Sequence, residues 1–280
     1  MIRTCFTLFL LFVMVLPAVF AGVQLSDPDS IEKVYGDDTS PDSTRYQALQ
    51  QLTFSLIFSD GPQAKLKIDE GLQFIERKHG KSKAYYSLYQ NLGVYYDVNQ
   101  EVDSAREVFF EILEESKRRG WDDLEQRSYN NLGMNSLNSS QYRKAIEYFS
   151  SALSLSRHNA DAKGADYVNY LSNLGLANQE LELYDQAIKY HMEALEIRRG
   201  TGDENGMAIS LANLGICHRQ KGEFGKAIAC YEAGIARARA AGNLTQYHRI
   251  HDNLGSLYIG MGDYTKGLEM LEIALDTSDG

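Results

Sequence analysis

The sequence predicts an all-α protein in which pairs of antiparallel helices stack as a solenoid. The tripeptide Asn-Leu-Gly returns every 40 or 42 residues, at Asn91, Asn131, Asn173, Asn213 and Asn253. A period between about 20 and 50 residues is typical of solenoids, in which each unit buries its apolar face only against its neighbours. Apolar residues recur at helical spacing within every period, and there are only four prolines in 280 residues.

Each period contains the pattern of two helices. In the second period, Leu132 and Gly133 belong to one helical stripe, and Ala145, Phe149 and Ala152 follow at helical spacing after a short polar turn. Glycine inside a helix is about 1 kcal/mol less favourable than alanine, so its return in every period needs a packing reason. We expect the second helix to cross the first closely at this glycine, with the small side chain of Ala145 completing the crossing.

The Leu-Gly pair, the aromatic residue near the start of the second helix and the Ala, aromatic, Ala triplet after it resemble the tetratricopeptide repeat family. The resemblance covers roughly residues 83 to 280. The period near 40 is similar to the longer-helix branch of kinesin light chains, spindle-orientation adaptors and many bacterial signalling proteins. The resemblance implies a right-handed superhelix in which an extended segment of a partner is held along the inner surface.

The N-terminus carries the pattern of a secretory signal. Arg3 precedes an apolar run over residues 6–16, Pro17 follows, and Val19 and Ala21 suit a signal peptidase. Cleavage after Ala21 predicts an exported protein, periplasmic or extracellular. A membrane-spanning helix needs about 20 apolar residues, more than this run supplies, and an uncleaved anchor is the alternative interpretation.

After this signal, assigned to residues 1–21, the sequence predicts a lead-in and six repeats. The lead-in, residues 22–41, is rich in Asp, contains two prolines and is predicted to be flexible. Residues 42–82 have helical stripes but lack Asn-Leu-Gly, which predicts a degenerate N-terminal capping repeat. The five clear repeats are predicted over residues 83–121, 122–161, 162–203, 204–243 and 244–280.

The C-terminal end is predicted to lack a cap. The last helix begins at Tyr264, and no further polar helix follows that would cover Leu271 and Leu275. We therefore expect the fifth repeat to continue into a longer protein or to pack against a partner, which includes self-association with a second copy.

Composition and motifs argue against nucleic acid binding and catalysis. The formal net charge is −10 at pH 7, whereas nucleic acid binding depends on clustered Lys and Arg. The sequence has no Gly-rich phosphate loop, no Gly-x-Ser-x-Gly motif and no His-Glu-x-x-His motif. His248 and His251 lie three residues apart, but without further ligands they indicate packing rather than a metal site. We expect no catalytic residue, metal or cofactor, and we interpret Cys217 and Cys230 as buried thiols, with a disulfide as the alternative.

The surface that stacking creates is where a function is predicted. Packing uses the Leu and Gly stripe of each first helix, so the stripe with the repeated asparagine must face the inside of the superhelix. An amide pairs with both the N–H and the C=O of an extended peptide, although asparagines that bond the neighbouring repeat are the alternative. Met134, Leu176 and Ile216 would supply apolar pockets, and Arg127, Arg219 and Arg249 would attract carboxylates. The predicted peptide-binding residues are Asn91, Asn131, Asn173, Asn213, Asn253, Arg127, Met134, Asn138, Asn169, Leu176, Ile216, Gln220 and Arg249.

Two functions are compatible with these patterns. The first is an exported, non-catalytic scaffold that grips a protein or peptide segment through the asparagine ladder. The alternative is the extracytoplasmic sensor region of a bacterial membrane signalling protein, with a histidine kinase or transcriptional output after residue 280. That alternative requires an apolar span of about 20 residues beyond Gly280.

Overall fold

The chain is helical throughout the part that the structure describes. A computed structural model describes residues 28–157 and 164–275, and these residues form thirteen α-helices. The predicted all-α class of stacked helix pairs is confirmed. The chain divides into two compact units, Met1–Asp166 and Tyr167–Gly280.

The helices follow one another with short connections. The first unit contains α1 (Pro28–Gly36), α2 (Asp42–Ser59), α3 (Gly61–His79), α4 (Lys83–Val98), α5 (Val102–Arg119), α6 (Asp122–Asn138) and α7 (Tyr142–Arg157). Nearly all of α8 (Ala165–Glu180) belongs to the second unit, with α9 (Tyr184–Thr201), α10 (Glu204–Gln220), α11 (Phe224–Ala240), α12 (Leu244–Gly260) and α13 (Tyr264–Leu275). None of the described helices is long and apolar enough to cross a membrane.

The first helix corrects part of the predicted lead-in. Residues 28–36, predicted to be flexible, form α1, and Ile31 is only 5% exposed because it packs against Ala48 and Leu52 of α2. Ile31 and Val34 lie one helical turn apart and form a short apolar stripe. Sequence analysis missed this stripe because it is surrounded by charged residues. The predicted signal and residues 22–27 lie outside the described residues.

A residue with positive φ lies in the turn within each of the last five helix pairs. These residues are Gln100 (φ 65°), Ser140 (58°), Glu182 (60°), Gly222 (75°) and Gly262 (86°). A residue with a Cβ is less stable in this conformation than glycine, by roughly 1–2 kcal/mol. The turn keeps the same conformation even where no glycine is present, so the two helices of every pair start in the same register.

That register places one side chain directly on the repeated glycine. The residue sixteen positions after the glycine covers it in every pair, as Gly93 with Phe109, Gly133 with Phe149, Gly175 with His191, Gly215 with Tyr231 and Gly255 with Leu271. A Cβ added at Gly133 would lie 2.5 Å from Phe149 Cε1, closer than real Cβ atoms approach. The glycine therefore seats a large side chain. Ala145, the small residue expected at this crossing, is fully buried.

The close contact between Gly133 and Phe149 predicts an unusual response to alanine at position 133. We expect Gly133→Ala to lower the free energy of unfolding by about 2 kcal/mol, because overpacking against Phe149 outweighs the gain in helix propensity of about 1 kcal/mol. Gly200→Ala in α9 is the control, since nothing lies within 4 Å of the added Cβ. Urea unfolding of both variants measures the difference. Equal stability of the two variants would contradict the close packing of Phe149 on Gly133.

His191 is the most polar of the side chains that cover a repeated glycine. It is fully buried, and neither ring nitrogen has a hydrogen-bond partner among the described residues. Burial, reinforced by the charge of Arg198, lowers the pKa of His191 to about 3. A histidine in the unfolded chain titrates near 6.5, so between these two values the unfolded state binds more protons than the folded state. The contribution of His191 to stability is therefore constant above pH 6.5 and falls as the pH drops below it.

Replacing this histidine should make the free energy of unfolding less sensitive to acid. We expect His191→Phe, which installs the residue present at Phe109 and Phe149, to raise the free energy of unfolding by about 1–3 kcal/mol at pH 7.5. The substitution removes two buried nitrogen atoms that have no hydrogen-bond partner. The gain should grow by about 1.4 kcal/mol for each pH unit below 6.5. Urea unfolding at pH 7.5 and pH 5 gives both numbers. Parallel pH profiles for the wild type and the variant would show that His191 is not the titrating group.

Candidate functional site

The predicted ladder residues lie on helices that contact each other within each unit. In the first unit α4 packs against both α2 and α6, and in the second unit α10 packs against α12. Asn91 and Asn131 therefore lie on contacting helices of the first unit, and Asn213 and Asn253 on contacting helices of the second. Asn173 lies on α8 of the second unit. The candidate site is the exposed side of these first helices.

Asn91 is committed to the fold. It is 3% exposed, and its Nδ2 donates to the carbonyl of Gln50 and to Thr53 Oγ1, both at 2.8 Å. Gln50 returns the bond through Nε2 to the carbonyl of Ser87, at 2.9 Å. The two amides hold α2 against α4. At this position the alternative interpretation of the ladder, in which asparagine bonds the preceding repeat, describes the structure.

The other ladder asparagines have different surroundings. Asn131 is partly exposed, but its Nδ2 is shielded from water and has no hydrogen-bond partner among the described residues. Asn213 is 4% exposed, and none of the hydrogen bonds between described residues involves its amide. Asn173 is 6% exposed, and Asn253 is partly exposed. The amides of Asn131 and Asn213 are therefore not used by the fold in the way that Asn91 is.

Arg127 and Met134 of α6 are both partly exposed, and the arginine already has a partner. Arg127 Nη2 binds Asp123 Oδ2 at 2.8 Å, and the same carboxylate receives Lys83 Nζ at 2.5 Å. Burial favours the neutral acid, but the hydrogen bond from Lys83 and the charge of Arg127 leave the pKa of Asp123 below its usual value. Arg127 is therefore neutralised within the protein.

Asn138 belongs to a polar cluster that sequence analysis missed. Asn138 is exposed, and its Nδ2 donates to Asp97 Oδ2 at 2.8 Å, while Asn135 Nδ2 donates to Asp97 Oδ1 at 2.7 Å. Asn135 also donates to the carbonyl of Val102 at 3.1 Å. Burial raises the pKa of Asp97 despite the two amide hydrogen bonds. The sequence signal for this cluster was the spacing of two residues. Asp97 follows Asn91 by six residues, and Asn135 follows Asn131 by four.

The remaining groove residues lie in the second unit. Asn169, Leu176 and Ile216 are partly exposed, and Gln220 is exposed. Ile216 also packs against the core cluster that contains Tyr231. Apolar and amide groups thus occur on the same exposed stripe.

Arg249 is partly exposed and lacks an acidic partner. Its Nη2 donates to Gln246 Oε1 at 2.6 Å. No ion pair between described residues includes this arginine. Arg249 therefore differs from Arg127, which occupies the same place in its own repeat.

The structure shows the surroundings of the histidines and cysteines that could bind a metal or react. No cluster of three His, Cys, Asp or Glu side chains within residues 28–157 and 164–275 could hold a metal ion. His251 Nδ1 lies 2.9 Å from the carbonyl of Tyr247, and the two rings contact each other with centroids 4.2 Å apart and planes tilted by 52°. Cys217 and Cys230 are free thiols, and burial raises the pKa of Cys217 to about 12, which disfavours the reactive thiolate.

Helix hairpins that repeat in one register, with polar first-helix residues left at the surface, define a helical repeat scaffold. Models of the tetratricopeptide repeat match residues 124–199, 166–240 and 248–278, just over half of the chain. The protein therefore belongs to the tetratricopeptide repeat family, as the sequence resemblance predicted. No curated protein sequence matches the chain.

Several solved structures share this fold at low sequence identity. BtubC (BKLC) from P. vanneervenii is 20% identical, with a TM-score of 0.66 over 78% of this chain and 89% of that protein. The apo form of RapI is 15% identical, with a TM-score of 0.68 over 90% of this chain and 71% of that protein. The quorum sensor NprR from B. thuringiensis is 17% identical, with a TM-score of 0.58 over 82% and 64% of the two chains. Such similarity establishes the fold.

Proposed function

We propose that this protein is a non-catalytic scaffold that binds an extended segment of a partner protein along the first helices of its repeats. The observation that carries the proposal is the pair of ladder amides, at Asn131 and Asn213, that the fold leaves without hydrogen bonds. Buried and half-buried amides are normally satisfied, and a peptide backbone offers both a donor and an acceptor to each of them. Binding would complete hydrogen bonding that folding leaves incomplete.

Side chains next to the ladder support selectivity for more than the backbone. Met134, Leu176 and Ile216 each follow a ladder asparagine by three residues, and all three are partly exposed. An apolar side chain of the bound segment would remove their exposed surface from water, which stabilises the complex by roughly 25 cal/mol for each Å² buried. The amides would hold the backbone and these positions would select side chains.

The sensor function uses the same surface. Similarity to the quorum sensor NprR favours it as the second candidate, because a bound segment would then be a signal rather than an assembly partner. The two candidates differ in what the bound protein does next, and they share the ladder as the site of recognition. A test of the ladder therefore applies to both.

Ladder substitutions should separate binding from stability. We expect the double variant Asn131→Ala, Asn213→Ala to bind members of a random-sequence peptide array about tenfold more weakly than the wild type, since each amide contributes hydrogen bonds of about 1 kcal/mol. Its melting temperature should be unchanged. The control is Asn91→Ala, which should lower the free energy of unfolding by about 1–3 kcal/mol because the hydrogen bonds from Asn91 to Gln50 and Thr53 are lost.

The contrast between the variants decides the outcome. If the double variant binds as tightly as the wild type, or if it loses as much stability as Asn91→Ala, Asn131 and Asn213 do not hold a peptide. An array on which the wild type retains no peptide would overturn the proposed function as a whole.

We further infer that the protein acts outside the cytoplasm, because of the signal pattern in residues 1–21. In a bacterial host that exports proteins, the wild-type chain should be recovered outside the cytoplasm with Gly22 as its first residue, measured by cell fractionation and mass spectrometry. Leu11→Arg, which places a charge in the apolar run, should retain the full-length chain inside. A membrane-bound chain that keeps Met1 would favour the uncleaved anchor, and a cytoplasmic wild-type chain would contradict export.

A further inference from the structure

Two aromatic rings from neighbouring repeats meet at the surface of the first unit. Phe110 of α5 is 38% exposed, and Tyr148 of α7 is partly exposed. Their centroids lie 6.4 Å apart with the planes inclined by 74°, which is an edge-to-face contact. Both residues lie on second helices, whereas the asparagine ladder lies on first helices. We call Phe110 and Tyr148 the ring pair.

Other rings of the first unit carry a cation that the protein itself supplies. Lys117 Nζ lies 5.2 Å from the centroid of Tyr129, and the guanidinium of Arg119 lies 4.9 Å from that of Trp121. A cation over the face of an aromatic ring is attracted by the negative face of the ring. Within the part of the chain that the structure describes, no Lys or Arg covers either ring of the pair. The ring pair is therefore available to a cation from another molecule.

The charge around the ring pair is negative. Residues 101–115 contain six acidic side chains and one arginine, in a chain whose net charge is −10. Glu107 and Glu114 are exposed, and they lie one turn before and one turn after Phe110 on α5. Residues three or four positions apart share a face of a helix, so the two carboxylates flank the ring.

The protein neutralises these carboxylates only weakly. Glu107 has no ion-pair partner among the described residues, and Glu114 reaches a lysine nitrogen only at 3.9 Å. Arg106, the arginine of this segment, is already bonded to Asp103 at 2.8 Å. Lys144 of α7 is an exposed cation one turn before the tyrosine of the pair, and it leaves the balance of charge on this surface negative. A positively charged ligand would thus find both ring faces and unpaired carboxylates.

We propose that the ring pair, with Glu107 and Glu114, is a docking surface for a basic segment of a second partner protein. A Lys or Arg side chain of that segment would lie over Phe110 or Tyr148 and pair with a flanking glutamate. An acidic segment would be repelled, and a neutral apolar segment would leave the carboxylates unpaired. The surface is separate from the ladder, so the scaffold would bind two partners at the same time. This inference goes beyond the proposed function, which concerns the first helices.

The first test follows the ring of Phe110 by NMR in the full chain labelled with ¹³C phenylalanine. The probe is a peptide of alternating glycine and arginine, and the same peptide with glutamine in place of arginine is the neutral control. Phe224 of α11 is the matched ring, because it is 42% exposed and its neighbour Glu223 is already paired with Lys226 at 3.1 Å. Loss of each signal in Phe110→Leu and Phe224→Leu assigns it. We expect the arginine peptide to shift the Phe110 signal saturably and to leave Phe224 unchanged.

The second test measures affinity by the fluorescence anisotropy of a labelled arginine peptide. Removing both carboxylates in Glu107→Gln, Glu114→Gln should weaken binding about fivefold, since two exposed ion pairs are lost. Phe110→Leu keeps an apolar side chain but removes the ring, and it should weaken binding about two- to fivefold. The control variant Glu232→Gln, Glu269→Gln removes the same charge from exposed positions of the second unit and should bind like the wild type. All three variants should melt at the wild-type temperature, because the replaced side chains are exposed.

Three results would overturn the docking surface. The first is an equal shift of Phe110 and Phe224, or equal weakening in the control variant, either of which would mean that the peptide follows the net charge of the chain. The second is equal binding of the glutamine peptide, which would mean that no cation is selected. The third is loss of the arginine peptide in Asn131→Ala, Asn213→Ala, which would place the peptide on the ladder. Binding that this ladder variant retains and Glu107→Gln, Glu114→Gln weakens would support the docking surface, whatever the peptide array shows for the ladder.

Discussion

The contact between a glycine and the side chain sixteen residues later sets the geometry of every clear helix pair in this protein. The glycine supplies space, and a ring or a leucine fills it, so that the second helix has one position along the first. Interiors are packed as densely as organic crystals, and a missing Cβ on one helix is therefore as specific as a large side chain on the other. Everything that the first helices present to solvent follows from this register.

The side chain that covers the repeated glycine differs from one helix pair to the next. The pairs can therefore be compared like a set of variants of one contact. Phe109 and Phe149 give an apolar contact, Tyr231 adds a hydroxyl without a partner, and His191 adds two unsatisfied nitrogens. All four of these side chains are planar rings, whereas their polarity differs. Shape complementarity at the glycine is thus the stricter requirement, and the core of the second unit tolerates polar atoms that reduce its stability.

The repeated asparagine serves two physical roles. Asn91 is hydrogen-bonded to α2, the first helix of the preceding repeat, and Asp97 together with Asn135 and Asn138 links α4 to α6. Asn131 and Asn213 have no such bonds. The facing helix contributes to this difference, because Thr53 Oγ1 and the carbonyl of Gln50 are the two acceptors that Asn91 uses.

The period, the helix pairs and the family could be predicted from the sequence, because one strong pattern recurs in five registers. The helix at residues 28–36 could not, since an apolar stripe as short as that of Ile31 and Val34 is ambiguous in isolation. The neutralisation of Arg127 and the isolation of Arg249 were equally hidden. Whether the arginine finds a carboxylate depends on the residue four positions earlier, which is the acidic Asp123 before Arg127 and the neutral Thr245 before Arg249.

The contact between successive first helices also fixes a length scale for recognition. Packed helices lie about 8–10 Å apart, and an extended chain advances about 3.3 Å per residue. In the bound state that we propose, neighbouring ladder amides such as Asn213 and Asn253 would meet every third residue of the partner. The repeats would then act as a ruler, and the partner's sequence would carry a three-residue rhythm dictated by the spacing of α10 and α12.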